Sequence, residues 1–343
     1  MKKIIALLLF ITLFACSDKK DIKTPANEVS TEVSSKLVAP PKADGFLIRY
    51  NYKKGDIYKY KITTLSSSSQ ELVTDTVITT KANQRVEYRV KLVVDNVDSA
   101  RTAKINILIE SILVNGVMNG QEVSYDSKYI LGTRERAMFA QYEAIKKKKY
   151  TIDITANGQI LKIYNTSAMV KELLSIQQQF SNVTSAQKQE LQNNFSESAL
   201  RPLSEQIFRK FPSEKVAVNY SWSDSYFSQF ALFQIENIAN FQLVDILTSN
   251  NDSTLIFNAG LSINFIGEHS SSEQGMNFYF YDPVVSGSGT IKFDKSKGLV
   301  VYSETSTKME METDINGIDQ NQSPFTAKRT DNTSNTNIVE LSM

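Results

Sequence analysis

The sequence predicts an α+β protein that is predominantly antiparallel β, with two similar β-lobes forming a curved sheet or half-open barrel and helices inserted between them. Three observations predict it. Apolar and polar residues alternate with period two in segment after segment from residue 46 onward, which is the pattern of strands with one buried face. A stretch rich in helix formers interrupts those strands between residues 166 and 212. The order of strands and turns before that stretch echoes the order after it.

The chain opens on Lys2 and Lys3, runs through apolar residues from Ile4 to Phe14 broken by Thr12, and reaches Ala15 and its single cysteine, Cys16. A basic start, a short apolar run and a small residue make the layout of a secretory signal peptide, here residues 1–15. The run is shorter than the roughly 20 residues a membrane-spanning helix requires. Residues 17–44 are polar and carry Pro25, Pro40 and Pro41, so 16–44 reads as Cys16 followed by a flexible tether.

Residues 45–165 form the first predicted lobe. Order begins at Phe46-Leu47-Ile48-Arg49-Tyr50, a turn follows at Lys53–Asp56, and Ile57–Ile62 alternates as a strand. Further strands are expected at Arg85–Val94, Thr102–Val114 and Val117–Tyr125, the last two joined by a tight turn at Asn115-Gly116. Thr133–Lys148 has Met138, Tyr142 and Ile145 at helical spacing, and its terminal Lys146–Lys149 run suits the negative end of a helix dipole. A hairpin is expected over Tyr150–Ile154 and Gln159–Tyr164 around Asn157-Gly158. Within the helical insertion, residues 166–212, the two helices are Ser167–Phe180 and Ser185–Lys210, with Pro212 just beyond. Residues 213–343 form the second lobe and C-terminal strands.

The echo pairs Tyr150–Ile154, Gly158 and Ile160-Leu161 with Gly289–Phe293, Gly298 and Val300-Val301. Upstream, Tyr88-Arg89-Val90 leads to Asp98-Ser99 much as Phe241-Gln242-Leu243 leads to Asp252-Ser253. A duplicated lobe would explain the parallel, with the helices covering an apolar face that the sheet leaves exposed.

Two resemblances add to this reading. Leu13-Phe14-Ala15-Cys16 resembles a bacterial lipobox, which implies a diacylglycerol on the Cys16 sulfur, removal of residues 1–15 and acylation, as by palmitate, of the new amino terminus. Acyl chains hold to a bilayer by about 0.8 kcal/mol per buried methylene. Ser17 after the cysteine resembles lipoproteins forwarded to the outer membrane, on its periplasmic or its outer face. Lys54-Gly55-Asp56-x-Tyr58-x-Tyr60, Asn157-Gly158 and the Phe211–Val216 to Trp222 passage resemble uncharacterised Bacteroidota envelope lipoproteins with a strand-rich body. That resemblance implies architecture and address, and no activity. Asn219-Tyr220 departs from its pattern.

Charge and chemistry narrow the functions. Without Lys2 and Lys3 the 38 basic residues become 36 against 37 acidic ones, a balance that offers nothing to nucleic acid. One cysteine permits no internal disulfide. The single histidine, His269, sits in a polar segment and reads as part of a solvated turn. Ser286-Gly287-Ser288-Gly289 has the wrong spacing for a nucleophile elbow and reads as a glycine turn or bulge. Glu312-x-Asp314-x-Asn316-Gly317, with Asp319 beyond, places oxygen ligands at alternate positions as a calcium loop does, but Ser323 stands where an EF-hand needs its glutamate. Asn316-Gly317 is explained as a hairpin turn. The aromatics Phe227, Phe230, Phe233 and Phe278–Tyr281 are expected to divide between core and surface. No catalytic residue, metal or cofactor is assigned. The sequence thus points to a non-enzymatic, lipid-anchored envelope protein that binds an apolar or amphipathic ligand or a partner protein. The alternatives are a lipid or lipoprotein carrier and a glycan-acting hydrolase.

Overall fold

The computed structural model describes residues 45–177, 183–230, 233–249, 252–273, 275–318 and 323–342. Cys16 and the expected tether therefore lie outside the described residues, as does Asp319. The first strands are β1 (Ile57–Val73), β2 (Val77–Val97), β3 (Ala103–Met118) and β4 (Gln121–Asp126). Helices α1 (Thr133–Met138) and α2 (Ala140–Ile145) follow, then β5 (Lys149–Ile154) and β6 (Ile160–Tyr164). The central helices are α3 (Ser167–Ile176), α4 (Ser185–Phe195) and α5 (Arg201–Ile207), with a π-turn at Ser196–Leu200. The second half brings β7 (Ser221–Phe230), β8 (Phe233–Ser249), β9 (Asp252–Ile266), β10 (Ser270–Glu273), β11 (Met276–Phe280), β12 (Val284–Asp294), β13 (Leu299–Ile318) and β14 (Pro324–Ser342).

All fourteen strands belong to one antiparallel, unclosed sheet, ordered β6-β5-β3-β2-β1-β14-β13-β12-β9-β8-β7, with β4, β10 and β11 attached beside that path. The first half of the chain builds outward from β1 to the β6 edge. The second half starts at the β7 edge and returns to pair β14 with β1 from Lys59↔Ser342 to Val73↔Lys328. The halves are thus joined along a seam into one continuous sheet. The echoing hairpins also occupy different places, since β5–β6 is at an edge and β12–β13 is internal. What they share is a neighbour: Tyr50 N donates to Ala156 O at 2.7 Å and Asn51 N to Gly298 O at 3.4 Å, so both turns press on the same entering segment.

One face of the sheet is the core. By strand alternation Tyr60, Ile62, Val90, Leu92, Ile105, Ile107, Tyr150, Ile152, Leu243, Phe257, Ile291 and Val339 share it, and all are buried. Helix α3 and the segment from Val183 to Tyr220 cover that face, and the latter touches both sheet edges. Arg201 Nη1 donates to Ile160 O on the β6 edge at 3.0 Å, and Lys210 pairs with Asp224 on β7 at 3.0 Å. Between these ties Phe211 packs against Tyr50, Trp222, Phe257 and Phe293. Phe46 enters beside it, bridged to Val216.

Several local expectations need correction. Asn115-Gly116 does not turn; β3 continues to Met118, and the turn is Asn119-Gly120, both at positive φ (49° and 80°). Asn316-Gly317 is likewise strand, paired with Thr326 and Phe325. In both places glycine serves close approach, because a Cβ would stand 2.5 Å from Asn83 O at residue 116 and 2.9 Å from Gly275 O at residue 317. The segment Ser286–Gly289 is straight β12, and the register shift of that pair falls later, at Lys292/Phe293. The helix expected over Thr133–Lys148 breaks at Phe139 into α1 and α2, because Phe139 turns into a ring cluster with Tyr125 and Tyr142. Lys146 caps the end of α2, as expected, and pairs with buried Glu143 at 2.6 Å, but Lys147 takes φ 54° and Lys149 opens β5, so the rest of the lysine run leads into a strand. The second central helix ends at Ile207, before Pro212, as Phe208 turns extended and is buried.

Burial raises the phenols of Tyr50, Tyr52, Tyr60 and Tyr150 well above their ordinary value near 10. The unfolded chain then ionises first, so stability holds below pH ~10 and is lost as pH rises above it. An absorbance titration should show these phenols ionising in step with loss of the β circular dichroism signal. Reversible ionisation near pH 10 in an intact sheet would contradict their burial.

Candidate functional site

The face opposite the core is open. Leu65 and Ser67 follow Tyr60 and Ile62 in β1 without a register break, and their odd positions turn them to that open face. Their cross-strand partners, Arg85 and Asn83 on β2, then Asn115 and Val117 on β3, share it. Together with Glu122 and Ser124 of β4 these residues line a shallow recess of about 660 Å³. Leu65 and Val117 are exposed apolar side chains in its floor, 38% and 42% accessible, with amides, hydroxyls, Arg85 and Glu122 around them. A second recess of about 320 Å³ shares Ser67 and Ser334 with it and runs on past Lys308, Glu310 and Asn332. The two therefore form one continuous strip over the centre of the sheet.

That strip owes its shape to the sequence of the central strands. Ser66–Ser69 in β1 lies opposite Asn332–Asn335 in β14, so short polar side chains stand here in place of the large ones found around Tyr60 and Ile62. Small side chains leave a depression, and their hydroxyls and amides leave it wettable. Arg85 keeps 51% of its side chain exposed and stands 3.5 Å from Glu87, so its charge remains available to a ligand. The larger recess has one carboxylate in its lining, Glu122, and the smaller has Glu310. A glycosidase pair would need two acids facing each other about 5 to 9.5 Å apart in one groove.

The core face offers a different environment. Tyr50, Phe208, Phe211, Trp222, Phe257 and Phe293 pack into one cluster between the covering segment and the sheet. The two recesses described above lie on the other side of the sheet from that cluster. An acyl carrier would be expected to place its largest cavity between helices and sheet.

The residues singled out by sequence are scattered. His269 lies in the bend between β9 and β10 with its side chain 41% exposed; its ring stacks on Phe265 at 4.8 Å, its Nδ1 is 2.9 Å from Phe280 O, and Asp282 stands 3.7 Å from Nε2. Glu312, Asp314 and Asn316 lie in β13, where Glu312 pairs with Lys328 at 2.7 Å and Asp314 accepts from the Tyr281 hydroxyl at 2.8 Å. These oxygens serve cross-strand contacts, and among the described residues no group of three or more His, Cys, Asp or Glu side chains is placed to hold a metal. The aromatics divide as expected, with Phe280 buried and Phe227 and Tyr279 exposed; the side chains of Phe230 and Phe233 lie outside the described set. No helix among the described residues is long and apolar enough to cross a membrane. The open-face strip was not foreseen; its signal is the run Ser66–Ser69, polar at every position of a strand.

A family described as being of unknown function, DUF6263, matches residues 100–300, from β3 to the start of β13. The chain belongs to that family. No curated protein matches it. Among solved structures, a lipovitellin structure on lipid-protein interactions is similar at a TM-score of 0.42 and 9% identity, over 85% of this chain and 26% of that one. The COG4313 outer membrane channel from Pseudomonas putida F1 is similar at a TM-score of 0.21 and 9% identity, over 89% and 100%. OpdL of Pseudomonas aeruginosa follows at 0.20 and 8%, over 84% and 99%. This DUF6263 chain thus spans about a quarter of the lipovitellin chain.

Proposed function

We propose that this DUF6263 protein is a lipid-anchored protein of the bacterial cell envelope that acts by binding, without catalysis, and takes an amphipathic ligand or a segment of a partner protein on the open face of its sheet. The observation that carries the reading is the strip centred on Ser67, with an aliphatic floor at Leu65 and Val117 and a polar rim. Such a surface gains from covering its apolar floor and holds orientation through its rim. The address comes from the lipobox-like Leu13–Cys16 and the polar stretch after it, which resemble outer-membrane lipoproteins of Bacteroidota. The tether would hold the body clear of the lipid surface.

Cell fractionation tests the address. Wild-type protein should sediment with the outer membrane and resist high salt, whereas Cys16→Ala should appear in the soluble fraction. Membrane retention of Cys16→Ala would remove the anchor from the proposal. Binding is tested separately with Leu65→Asp and Val117→Asp. Each places a charge in the floor of the recess without touching the core, and should weaken a co-purifying ligand by at least about tenfold while leaving the midpoint of unfolding within about 1 kcal/mol.

A further inference from the structure

We propose that Arg209, with Ser303 beside it, forms a second binding site, for an oxyanion of the carboxylate or phosphate type, on the helix-covered face of the sheet. The site lies on the opposite side of the sheet from the recess and stands without it. Arg209 follows α5 by two residues, and its backbone is held on both sides by one phenol: Arg209 N donates to Tyr50 Oη at 2.8 Å, and the Tyr50 hydroxyl donates to Arg209 O at 3.2 Å. The backbone from which the side chain departs is therefore fixed.

Its guanidinium is poorly matched by the protein. Five N–H donors are available in such a group, and the contact they make is a long one, from Nη2 to Ser303 Oγ at 3.3 Å. Nε is sealed from solvent with no hydrogen-bond partner. The acids nearby are engaged elsewhere: Glu205 makes its ion contact with Arg201 at 3.8 Å, and Asp224 pairs with Lys210 at 3.0 Å. Burying a cation with one of its own donors unmet is costly. An oxyanion meeting the Nε edge with charge-assisted bonds would offset that cost.

The arginine is not closed off, since the residue as a whole keeps partial exposure and lies beside Glu205 and Tyr226, both half exposed. Burial lowers the Arg209 affinity for its proton, with Tyr50 and then Glu205 working the other way, yet the group stays charged. Burial raises the Glu205 carboxyl, against Arg201 and Arg209. Glu205 is the group that opposes an incoming anion, which gives the site a second handle.

Thermal unfolding of the full-length protein with inorganic phosphate, with octanoate and with octanol as the uncharged control tests the site. Protection by phosphate but not octanoate identifies a free oxyanion, protection by octanoate but not phosphate identifies the headgroup of an amphiphile, and protection by both identifies the general class. In each case Arg209→Met should weaken binding by at least about tenfold, Glu205→Gln should strengthen it several-fold, and Val117→Asp should leave it unchanged. Arg209→Met without ligand should melt at or above the wild-type temperature, because it removes an unmatched buried charge. Should it fail to fold, Arg209→Lys and Glu205→Gln decide. Protection by neither anion, protection equal in Arg209→Met, or protection untouched by both fallback variants would overturn the proposal.

Discussion

Phe211→Ala is expected to cost about 3 to 5 kcal/mol of stability, the range for truncating a large aromatic in a packed core. Phe211 is 2% exposed and touches rings that arrive from the entering segment, from β7, from β9 and from β12. It is therefore the point at which the covering segment holds the open sheet. Urea unfolding should show a lower midpoint with an unchanged slope, meaning a weaker fold that exposes the same surface when it unfolds. A loss below about 1 kcal/mol would mean that the sheet does not depend on this plug.

Gly158→Ala should cost about 3 kcal/mol or more. Gly158 has φ 93°, and a Cβ there would stand 2.1 Å from Arg209 O and 2.7 Å from the Tyr50 ring. Two penalties add: a left-handed backbone, about 1 to 2 kcal/mol, and overpacking, about 1 to 3 kcal/mol. Gly55 supplies the control, since its φ of 91° is nearly the same but nothing lies within 4 Å of the added atom. Gly55→Ala should cost the backbone penalty alone. Equal costs at the two positions would show that the Asn157-Gly158 turn is not wedged into the core.

The sheet was legible because one face of nearly every strand is buried, and alternation such as Ile105, Ile107 and Ile109 reports that directly. Turns were half legible for a physical reason. Glycine is selected both where φ must be positive and where another backbone comes too near for a Cβ, and Asn-Gly looks the same in either role. Asn157-Gly158 turned, whereas Asn115-Gly116 and Asn316-Gly317 are straight strand. The break at Phe139 depends on rings of Tyr125 and Tyr142, whose proximity no local window contains.

The candidate sites divide in the same way. Cys16 is a reading of local sequence alone, complete at the level of residues 2–16. The open-face strip joins residues near 67, 83, 115, 308 and 334, which only the strand order brings side by side. Arg209 looks like an ordinary helix-end cation in Phe208-Arg209-Lys210-Phe211. Its isolation is created by Tyr50 and Ser303, which reach it from far along the chain. The oxygen-rich run from Glu312 was misleading because alternate positions on a strand also place acids opposite lysines.

Native mass spectrometry of protein extracted from membranes tests the anchored binding body most directly. A chain that begins at Cys16, carries acyl groups on that residue, and holds a non-covalent ligand that Val117→Asp releases is the expected result. A chain with unmodified Cys16, or a bound species retained equally by wild type and Val117→Asp, would contradict it.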